Sequence, residues 1–554
     1  MIPFSIVLIA KNEEQSLPHL FDSIKEFKNR GGEVVILDTG STDKTVEVAK
    51  EFGCKVEEVG SKFVRTITNA DEINKRFIVK GEEPIIKNGD KLFDFSEARN
   101  YAATLASNDW IFMPDCDEVL TSFDLDKINE VIENGAKQLE YNFVFSHDQY
   151  GNEAMKFRHC KFYNRTTLKW VGIIHEVLSG NSQRTFLDED IIKLEHFQNP
   201  KAERSKYLSG LALDCFENQE KDRNSHYFAR EMLWNGRPKS AIKEFKRHIA
   251  MNAWLQERGQ SCIFIGDAYG LLKDEVNQIE WYQRAFNLDS SRREALMRLA
   301  ELYYKKGDKQ KTACYSTAAL QIPWDGYYAN QKKDYEQGPH EMLYWALWGK
   351  NKEQSKYHLE QALRYQPYNS KFLDATKFYY EYPDNKIDGW MRFFELQFLY
   401  NESKKMSSVC EVGSWKGRST HALLSGCKGT VTAVDHFKGS QQEGDYTHTL
   451  GKQEDIYKTF LKNIKGFKNL KVNKKDSLSA AKDYKDNEFD MVFIDAGHTD
   501  DEVVADIRAW RGKAKFLLCG HDFSDVWPGV KKAVLEEIGQ PDGVADSIWY
   551  KIIK

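Results

Sequence analysis

Apolar and polar residues follow one another in a regular order through the first part of the chain. Short apolar runs at residues 4–10 and 34–37 have the length and composition of buried parallel strands. A helical spacing of apolar residues follows the first run, and the second run ends in the polar residues 38–45. Strands that alternate with helices predict an open parallel sheet, in which ligands bind beyond the carboxyl ends of the strands.

The pattern changes in the middle of the chain, where residues 203–380 predict one helix after another. Similar short segments recur at spacings of roughly 34 to 44 residues, and turn signals at residues 235–238, 306–308 and 349–351 precede several of them. This repetition resembles tetratricopeptide (TPR) repeats, whose helical pairs bury their apolar stripes only against neighbouring pairs. We expect the aromatic residues here to form the repeat core rather than a platform that stacks on sugars.

Apolar strand patterns return in the last part of the chain. The runs are residues 408–412, 431–434, 489–494 and 516–519. The chain is therefore predicted to be an α/β multidomain protein. Its predicted domains are residues 1–202, 203–385 and 386–554.

Composition narrows the function classes. The 554 residues, 41% of them hydrophobic and 13% aromatic, suffice for packed cores. A net charge of -5 argues against a nucleic-acid partner. The 9 cysteines are scattered without a CxxC pair, which fits reduced thiols rather than disulfides or a zinc site. Because the apolar start lacks a basic leader and no run could span a membrane, we expect a cytoplasmic protein without a transmembrane segment.

The most informative polar stretch is Asp115-Cys116-Asp117, which closely follows the apolar run at residues 110–113. If a strand continued through this stretch, Asp115 and Asp117 would point to the same side. Neighbouring carboxylates repel each other unless positive charge lies between them, and a divalent cation that bridges to a diphosphate would supply it. A turn with exposed acids is the alternative interpretation.

This stretch belongs to an ordered series of motifs, which reads IVLIAKNEE, VVILDTGSTDKTVEVA, DFSEARNYA and PDCDEVL. Together the motifs resemble the family 2 glycosyltransferases of the GT-A fold, over roughly residues 1–200. The resemblance implies a nucleotide-diphosphate sugar as the donor, Mn²⁺ or Mg²⁺ as the metal, and inversion of the anomeric centre.

The resemblance also implies roles for individual residues. The nucleobase would be bordered by Ala10, Asn12 and Glu13, and Asp38 would hydrogen-bond the edge of the base. Arg99 would lie near the diphosphate, although a surface salt bridge would explain it equally simply. Asp115 would touch the ribose or the metal, and Asp117 would bind the metal.

A later stretch at residues 170–176 matches the same family. It implies that His175 is a further metal ligand or a contact to the diphosphate. An inverting transferase needs a carboxylate to take the proton of the acceptor, and Glu176, Asp148 and Glu118 are the candidates. Residues 62–91 fit no motif of the family, and they form either a loop over the donor site or an addition at the sheet edge.

The last part of the chain carries a second set of motifs. A glycine loop of the pattern ExGxxxGxST at residues 411–420 precedes FIDAGH, GHDF and PGV. These motifs resemble the class I S-adenosylmethionine-dependent methyltransferases with a Rossmann-like sheet, especially the small-molecule and sugar O-methyltransferases, over roughly residues 386–554. The implied cofactor contacts are Glu411, Gly413 and Gly417 at the methionine end, Asp435 at the ribose, and Asp476 with Ser477 at the adenine.

Metal-dependent relatives place acids at the ends of two adjacent strands. The resemblance implies Asp495, His521 and Asp522 as metal ligands and His498 as a general base. The His521-Asp522 pair departs from the commoner pair of acids or of acid and amide. A domain that binds the cofactor without catalysis is the alternative.

These observations predict a bifunctional enzyme that modifies glycans. It would transfer a sugar to a glycan or glycosylated acceptor and methylate a sugar hydroxyl, with the helices holding the acceptor. One alternative is a protein or peptide glycosyltransferase, in which the TPR-like repeats dock a protein acceptor and the methyltransferase-like domain is auxiliary or inactive. Another is an assembly scaffold with inactive catalytic domains.

Overall fold

The computed structural model describes residues 2–147, 153–174, 176–180, 182–197, 207–252, 254–324, 331–439 and 446–553. The chain forms two compact units, Met1–Ala295 and Leu296–Lys554. Each unit contains both a β-sheet and a run of helices.

The first two strands of the first unit correspond to the predicted apolar runs at residues 4–10 and 34–37. The strands of this unit are β1 (Phe4–Ala10), β2 (Glu33–Asp38), β3 (Lys55–Glu58), β4 (Val64–Thr66), β5 (Lys91–Phe93), β6 (Trp110–Phe112), β7 (Glu118–Phe123), β8 (Gln138–His147), β9 (Glu153–Asn164), β10 (Lys169–Val171), β11 (Val177–Ser179), β12 (Arg184–Phe186) and β13 (Ile192–His196).

The main sheet of this unit is mixed rather than wholly parallel. Strands β3, β2, β1 and β6 lie side by side and run parallel, as predicted, but β9 pairs with β6 in the antiparallel sense. The full order is β3-β2-β1-β6-β9-β8-β13-β7, with β12 beside β8. The carboxyl ends of β1, β2 and β6 therefore meet at one edge, where a ligand is expected.

Apolar side chains cover both faces of the parallel strands. Phe4, Phe112 and Phe162 are fully buried on one face, and Val7 and Val35 are fully buried on the other. Burial on both faces explains why the strands read as continuous apolar runs.

Helices flank the sheet and then continue beyond it. They are α1 (Leu17–Ser23), α2 (Lys25–Asn29), α3 (Thr45–Glu51), α4 (Ala70–Phe77), α5 (Phe95–Thr104), α6 (Leu125–Glu133), α7 (Tyr207–Glu217), α8 (Asp222–Trp234), α9 (Pro238–Ala250), α10 (Leu255–Leu271) and α11 (Glu275–Leu288).

The segment at residues 62–91 contacts these later helices. Its helix α4 packs against α7 and α9, and Phe77 meets Phe228 of α8 with ring centroids 4.9 Å apart. The backbone N–H of Val79 also donates to Ser240 Oγ over 2.8 Å. The segment thus joins the sheet to the helices that follow it, a role that neither sequence-based alternative included.

The second unit opens with more helices. They are α12 (Glu294–Lys305), α13 (Lys309–Leu320), α14 (Lys332–Tyr335), α15 (Gln337–Leu347), α16 (Lys352–Tyr365) and α17 (Ser370–Ala375). The predicted turn between α12 and α13 is present: Gly307 adopts a φ of +74°, and Asp308 Oδ1 accepts the N–H of Lys311 over 3.0 Å. The predicted helical array is confirmed.

A doubly wound sheet follows. Its elements are α18 (Phe393–Ser403), β14 (Ser408–Val412), α19 (Arg418–Gly426), β15 (Thr430–Val434), α20 (Tyr446–Gln453), α21 (Ile456–Asn463), β16 (Leu470–Asn473), α22 (Ser477–Ala481), β17 (Phe489–Ile494), α23 (Asp500–Trp510), β18 (Ala514–Gly520), α24 (Pro528–Ile538), β19 (Gly543–Ala545) and β20 (Ile548–Ile552). The order is β16-β15-β14-β17-β18-β20-β19, with β20 antiparallel to both neighbours. The predicted Rossmann-like domain is confirmed, and β14 at its centre places the glycine loop at the carboxyl edge.

Candidate functional site

The loops after β1 and β2 are joined at the carboxyl edge of the first sheet. Ala10 lies opposite Asp38 in the strand register. Asn12 adopts a left-handed φ of 59°, and its Oδ1 accepts the N–H of Thr42 over 2.8 Å. The backbone N–H of Asn12 donates to Ser41 Oγ over 2.9 Å. Three of the predicted nucleobase residues therefore share one rigid edge.

Asp38 and Glu13 present carboxylates at this edge. Asp38 is buried and accepts the N–H groups of Gly40 and Ser41, over 3.0 Å and 3.1–3.2 Å. Glu13 Oε2 has no hydrogen-bond partner among the described residues. Burial raises the pKa of Glu13, and the nearby charge of Asp117 adds to the effect. Glu13 therefore has an acceptor atom left for a ligand.

Asp115 and Asp117 do not lie in a strand, which corrects the sequence-based expectation. Strand β6 ends at Phe112, before Pro114, and β7 begins only at Glu118. Proline has no N–H for the ladder, so the chain turns at this point, with the N–H of Glu118 donating to Asp115 O over 3.2 Å. The two aspartates consequently have different partners.

Asp115 is engaged by two cations. Its Oδ1 accepts from Arg99 over 2.7 Å, and its Oδ2 accepts from the buried Lys161 over 2.6 Å. Burial opposes ionisation, but Lys161 and Arg99 outweigh it and hold the pKa of Asp115 well below its usual range. The side chain of Asp115 stays 44% exposed, so it can still meet a ribose or a metal. Sequence reasoning missed Lys161, because one lysine in an antiparallel strand carries no local signal.

Asp117 instead faces a histidine. His196 Nε2 lies 3.1 Å from Asp117 Oδ2, because β13 pairs with β7 and places His196 opposite Glu118. Burial lowers the pKa of His196, but the hydrogen bond and charge of Asp117 outweigh burial, and the net pKa is raised. One carboxylate and one imidazole are thus adjacent, and both side chains can bind a divalent metal ion. The available signal was that the alternating apolar positions Ile192 and Leu194 continue to a histidine.

The candidate bases have unequal positions. Glu118 is buried, accepts from Lys161 Nζ over 2.5 Å and from the N–H of Asp115 over 2.8 Å, and so faces the protein interior. Glu176 Oε1 accepts from Arg99 Nε over 2.6 Å, next to Asp115. Asp148 and His175 lie outside the described residues.

In the second unit the glycine loop lies between β14 and α19. Gly413 and Gly417 have φ values of +90° and +89°. A Cβ on Gly413 would lie 1.9 Å from the backbone oxygen of Asp495, so only glycine fits there. Asp435 Oδ2 accepts the N–H groups of Ser414 and Trp415 over 2.9 and 2.8 Å. The loop is therefore held by the residue predicted to bind the ribose.

Glu411 lies beneath this loop and is fully buried. Its Oε2 accepts from the hydroxyl of Thr420, and its Oε1 has no partner among the described residues. Burial raises the pKa of Glu411 to about 7. The buried Ser414 Oγ is likewise without a partner in the described part of the chain, so the loop carries unsatisfied polar atoms of the kind that a bound cofactor would engage.

The predicted adenine contacts already have structural partners. Asp476 caps α22 by accepting the N–H of Ser479 over 2.9 Å. Ser477 Oγ accepts from Trp510 Nε1 over 2.9 Å and donates to Asp506. Both residues lie just beyond β16, as expected, but their side chains are engaged locally.

An acidic cluster follows β17 and β18. One ligand atom from each of Asp495, His498 and Asp522 lies within 4.8 Å of the others. His498 Nε2 is 3.1 Å from Asp522 Oδ2. Asp522 adopts a left-handed φ of 63°, a strained conformation that turns its carboxylate toward this cluster. The histidine grouped with the two acids is thus His498, the residue predicted as the base.

His521 occupies a different place. Its Nδ1 lies 3.4 Å from Asp495 Oδ1 and 3.3 Å from Asp522 Oδ1, and its Nε2 lies 3.2 Å from Glu395 Oε2. Burial opposes its charge, but the carboxylates outweigh burial and raise the pKa of His521 well above its usual value. The imidazole of His521 therefore lies among carboxylates that favour its charged form, and it can offset their charge.

Comparison with known proteins gives matches in two separate parts of the chain. Residues 5–70 match the model of glycosyl transferase family 2, and residues 410–517 match that of a methyltransferase domain. A TPR repeat-containing protein of Synechococcus elongatus is 22% identical over 333 residues, which cover 59% of this chain and 68% of that protein. An uncharacterized glycosyltransferase of Rickettsia typhi is 23% identical over 253 residues, 42% of this chain and 75% of that protein.

A shorter similarity concerns one further relative. The 4,4'-diaponeurosporenoate glycosyltransferase of Staphylococcus haemolyticus is 40% identical over 55 residues, 10% of this chain and 14% of that protein. Among the described helices, none has the length and apolar character needed to cross a membrane. The chain is a transferase that contains a region matching glycosyl transferase family 2, a region matching a methyltransferase domain, and TPR-like helices.

Proposed function

We propose that the chain transfers a sugar from a nucleotide-diphosphate donor to an acceptor hydroxyl and methylates a sugar hydroxyl with S-adenosylmethionine. The observation that carries the first activity is the pairing of Asp117 with His196, 3.1 Å apart. This pair lies beside the strand that ends in Ala10, because Cys116 Sγ contacts Ile9 O at 3.4 Å. The proposed cation ligands and nucleobase residues therefore share one edge.

The donor would lie along this edge. Ala10, Asn12, Glu13 and Asp38 would border the base, and Arg99 would face the diphosphate. Asp117 and His196 would hold Mn²⁺ or Mg²⁺, with Asp115 beside them. When bound, the divalent cation offsets the charge that develops on the diphosphate as the glycosidic bond breaks.

Inversion requires a base on the acceptor side. We assign Glu176 to this role, because Arg99 orients its carboxylate beside the diphosphate site. Asp148 remains the second candidate for the base, and His175 a candidate contact of the metal or the diphosphate.

In the second unit, the loop carrying Gly413 and Gly417 would cradle the methionine end of the cofactor above Glu411. Asp435 would bind the ribose, and Asp476 with Ser477 would lie by the adenine. The cofactor supplies a methyl group on a sulfonium, and a metal held by Asp495, His498 and Asp522 would favour ionisation of the acceptor hydroxyl. His521 would keep the two aspartates ionised. Without a metal, His498 would take the proton of the hydroxyl.

The helices would hold the acceptor. Tethering both activities on one chain raises the effective concentration of the first product for the second reaction. If the protein methylates acceptors equally well with and without the transferred sugar, this coupling is wrong. A protein or peptide acceptor that docks on the TPR-like repeats is the second candidate.

Thermal shift with a panel of nucleotide-sugars, and with S-adenosylmethionine, tests both activities, because a ligand stabilises the state that it binds. We expect one nucleotide-sugar to stabilise the protein only with Mn²⁺, and Asp117→Ala to abolish that effect. We expect Asp435→Asn to weaken only the stabilisation by S-adenosylmethionine. Stabilisation by a nucleotide-sugar that survives Asp117→Ala would overturn the proposed metal site, and no response to any nucleotide-sugar would overturn the proposed transferase.

A further inference from the structure

A buried carboxylate of helix α7 reaches the segment that carries Glu176. Asp214 is fully buried, and its Oδ2 accepts the backbone N–H of Ile173 over 3.0 Å. Its Oδ1 accepts from Asn218 Nδ2 over 2.8 Å. Placing a carboxylate away from water is costly, so its retention at a backbone contact points to a task at that contact.

The segment is held from two sides. On the side of α5, the N–H of Phe95 donates to Ile173 O over 3.2 Å, and Ser96 Oγ donates to Gly172 O. On the side of α7, a Cβ added to Gly172 would lie 3.2 Å from Asp214 Oδ2. Gly172 adopts a φ of +102°, so the turn also needs glycine for its backbone conformation.

Side-chain packing adds to this clamp. A Cβ added to Gly210 of α7 would lie only 2.2 Å from Ile174 Cδ1, so the isoleucine occupies the space that a larger residue at Gly210 would need. Helix α7 therefore holds both the backbone and a side chain of the segment.

The clamp bears on the proposed donor site through Glu176. Glu176 follows closely in the chain and pairs with Arg99 Nε over 2.6 Å. Arg99 in turn contacts Asp115 over 2.7 Å. A displacement of the backbone at Ile173 would therefore move the carboxylate that orients the guanidinium at the diphosphate.

We propose that Asp214 is a positioning residue for sugar transfer. By holding the N–H of Ile173, it sets the place of Glu176 and Arg99. The first helix after the sheet is then part of the transferase site and not only a spacer. This inference rests on the proposed function.

The test compares variants of one helix in the full chain. Asp214→Ala removes the acceptor, whereas Asp214→Asn keeps an oxygen that can accept the same N–H. Ser209→Ala is the matched control, because Ser209 of the same helix donates to Ile85 O over 2.7 Å and has no bond to the clamped segment.

We expect Asp214→Ala to lower kcat for sugar transfer by about 10- to 100-fold, because a small misplacement of reacting groups is costly. The KM for the nucleotide-sugar should change little, Asp214→Asn should recover most of the rate, and Ser209→Ala should retain it. Methyl transfer by the same molecules should be unchanged, which checks that they are folded. An equal loss in Asp214→Ala and Ser209→Ala would overturn the proposal.

A second readout does not depend on activity. Backbone hydrogen exchange in a peptide covering residues 172–176 should accelerate in Asp214→Ala and stay at the wild-type rate in Ser209→Ala. Unchanged exchange in Asp214→Ala would overturn the positioning role. Faster exchange in a protein that transfers no sugar from any donor would support the contact between Asp214 and the segment. It would refute the proposed transferase function, and with it the role of Asp214 in sugar transfer.

Discussion

Two buried glutamates, one in each sheet, are stabilised in different ways. Glu118 is 2% exposed and accepts from Lys161 Nζ over 2.5 Å. Glu411 is fully buried under the glycine loop, accepts from the hydroxyl of Thr420, and forms no ion pair among the described residues. One carboxylate is paired with a cation, and the other accepts a hydrogen bond from a neutral hydroxyl.

The two regions differ in the cation beside the buried carboxylate. Burial opposes the charge of Lys161, but Asp115 and Glu118 outweigh burial and raise its pKa, so this cation persists at neutral pH. Glu411 has no such partner, and burial raises its pKa to about 7. Burial also raises the pKa of Glu118 to about 7, so each carboxylate can change protonation near neutrality, one beside a cation and the other without one.

Removal of the lysine should have the largest effect. Lys161→Met leaves Glu118 without its cation and Asp115 with only Arg99, and we expect it to reduce the free energy of unfolding by about 3–5 kcal/mol. Denaturant unfolding, monitored by hydrogen exchange in β6 and β9, would measure this loss. As a control, Lys127→Met removes an exposed ion pair to Asp190, 3.0 Å long, and should leave the unfolding midpoint unchanged. Equal losses in the two variants would refute the charge compensation.

Replacing Glu411 should remove a pH dependence. Its folded-state pKa of about 7 exceeds the ordinary 4.5. The stabilising effect of the bound proton is therefore complete below pH 4.5 and is lost as pH rises through about 7. We expect Glu411→Gln, which mimics the protonated acid, to be more stable than the wild type at pH 8 by up to about 3 kcal/mol.

Hydrogen exchange in β14 as a function of pH would measure this difference. At pH 4 the variant and the wild type should have equal stability. A difference that is the same at both pH values would refute the raised pKa of Glu411.

The smallest expected effect concerns Mn²⁺ binding at Asp117, which pairs with His196 and not with the cations that hold Asp115. His196→Ala should weaken Mn²⁺ binding by about 10- to 100-fold, because it removes one of the proposed ligands or its orienting partner. Titration calorimetry with Mn²⁺ would measure the affinity. His147→Ala is the control, since His147 pairs with Glu195 over 3.0 Å rather than with Asp117. Unchanged affinity in His196→Ala would mean that the metal, if bound, lies elsewhere.

Strand-end positions were predictable because they depend on short-range patterns. The apolar runs locate the ends of β1, β2 and β14, and therefore place Ala10, Asp38 and the loop after Glu411 at their sheet edges. The strand expected through Asp115 and Asp117 was wrong, because Pro114 ends the ladder. The hydrogen-bond and ion-pair partners of these residues could not be predicted from the local sequence pattern.

The sequence by itself determined the order of the helices and strands, the two transferase resemblances and the acids at the strand ends, since periodicity and turn residues act over a few positions. Only the tertiary structure decided that Lys161 pairs with Asp115, that His196 meets Asp117 and that Asp214 holds the turn before Glu176. Each of these contacts joins residues far apart in the chain, and pairing of distant strands and packing of a distant helix bring them together.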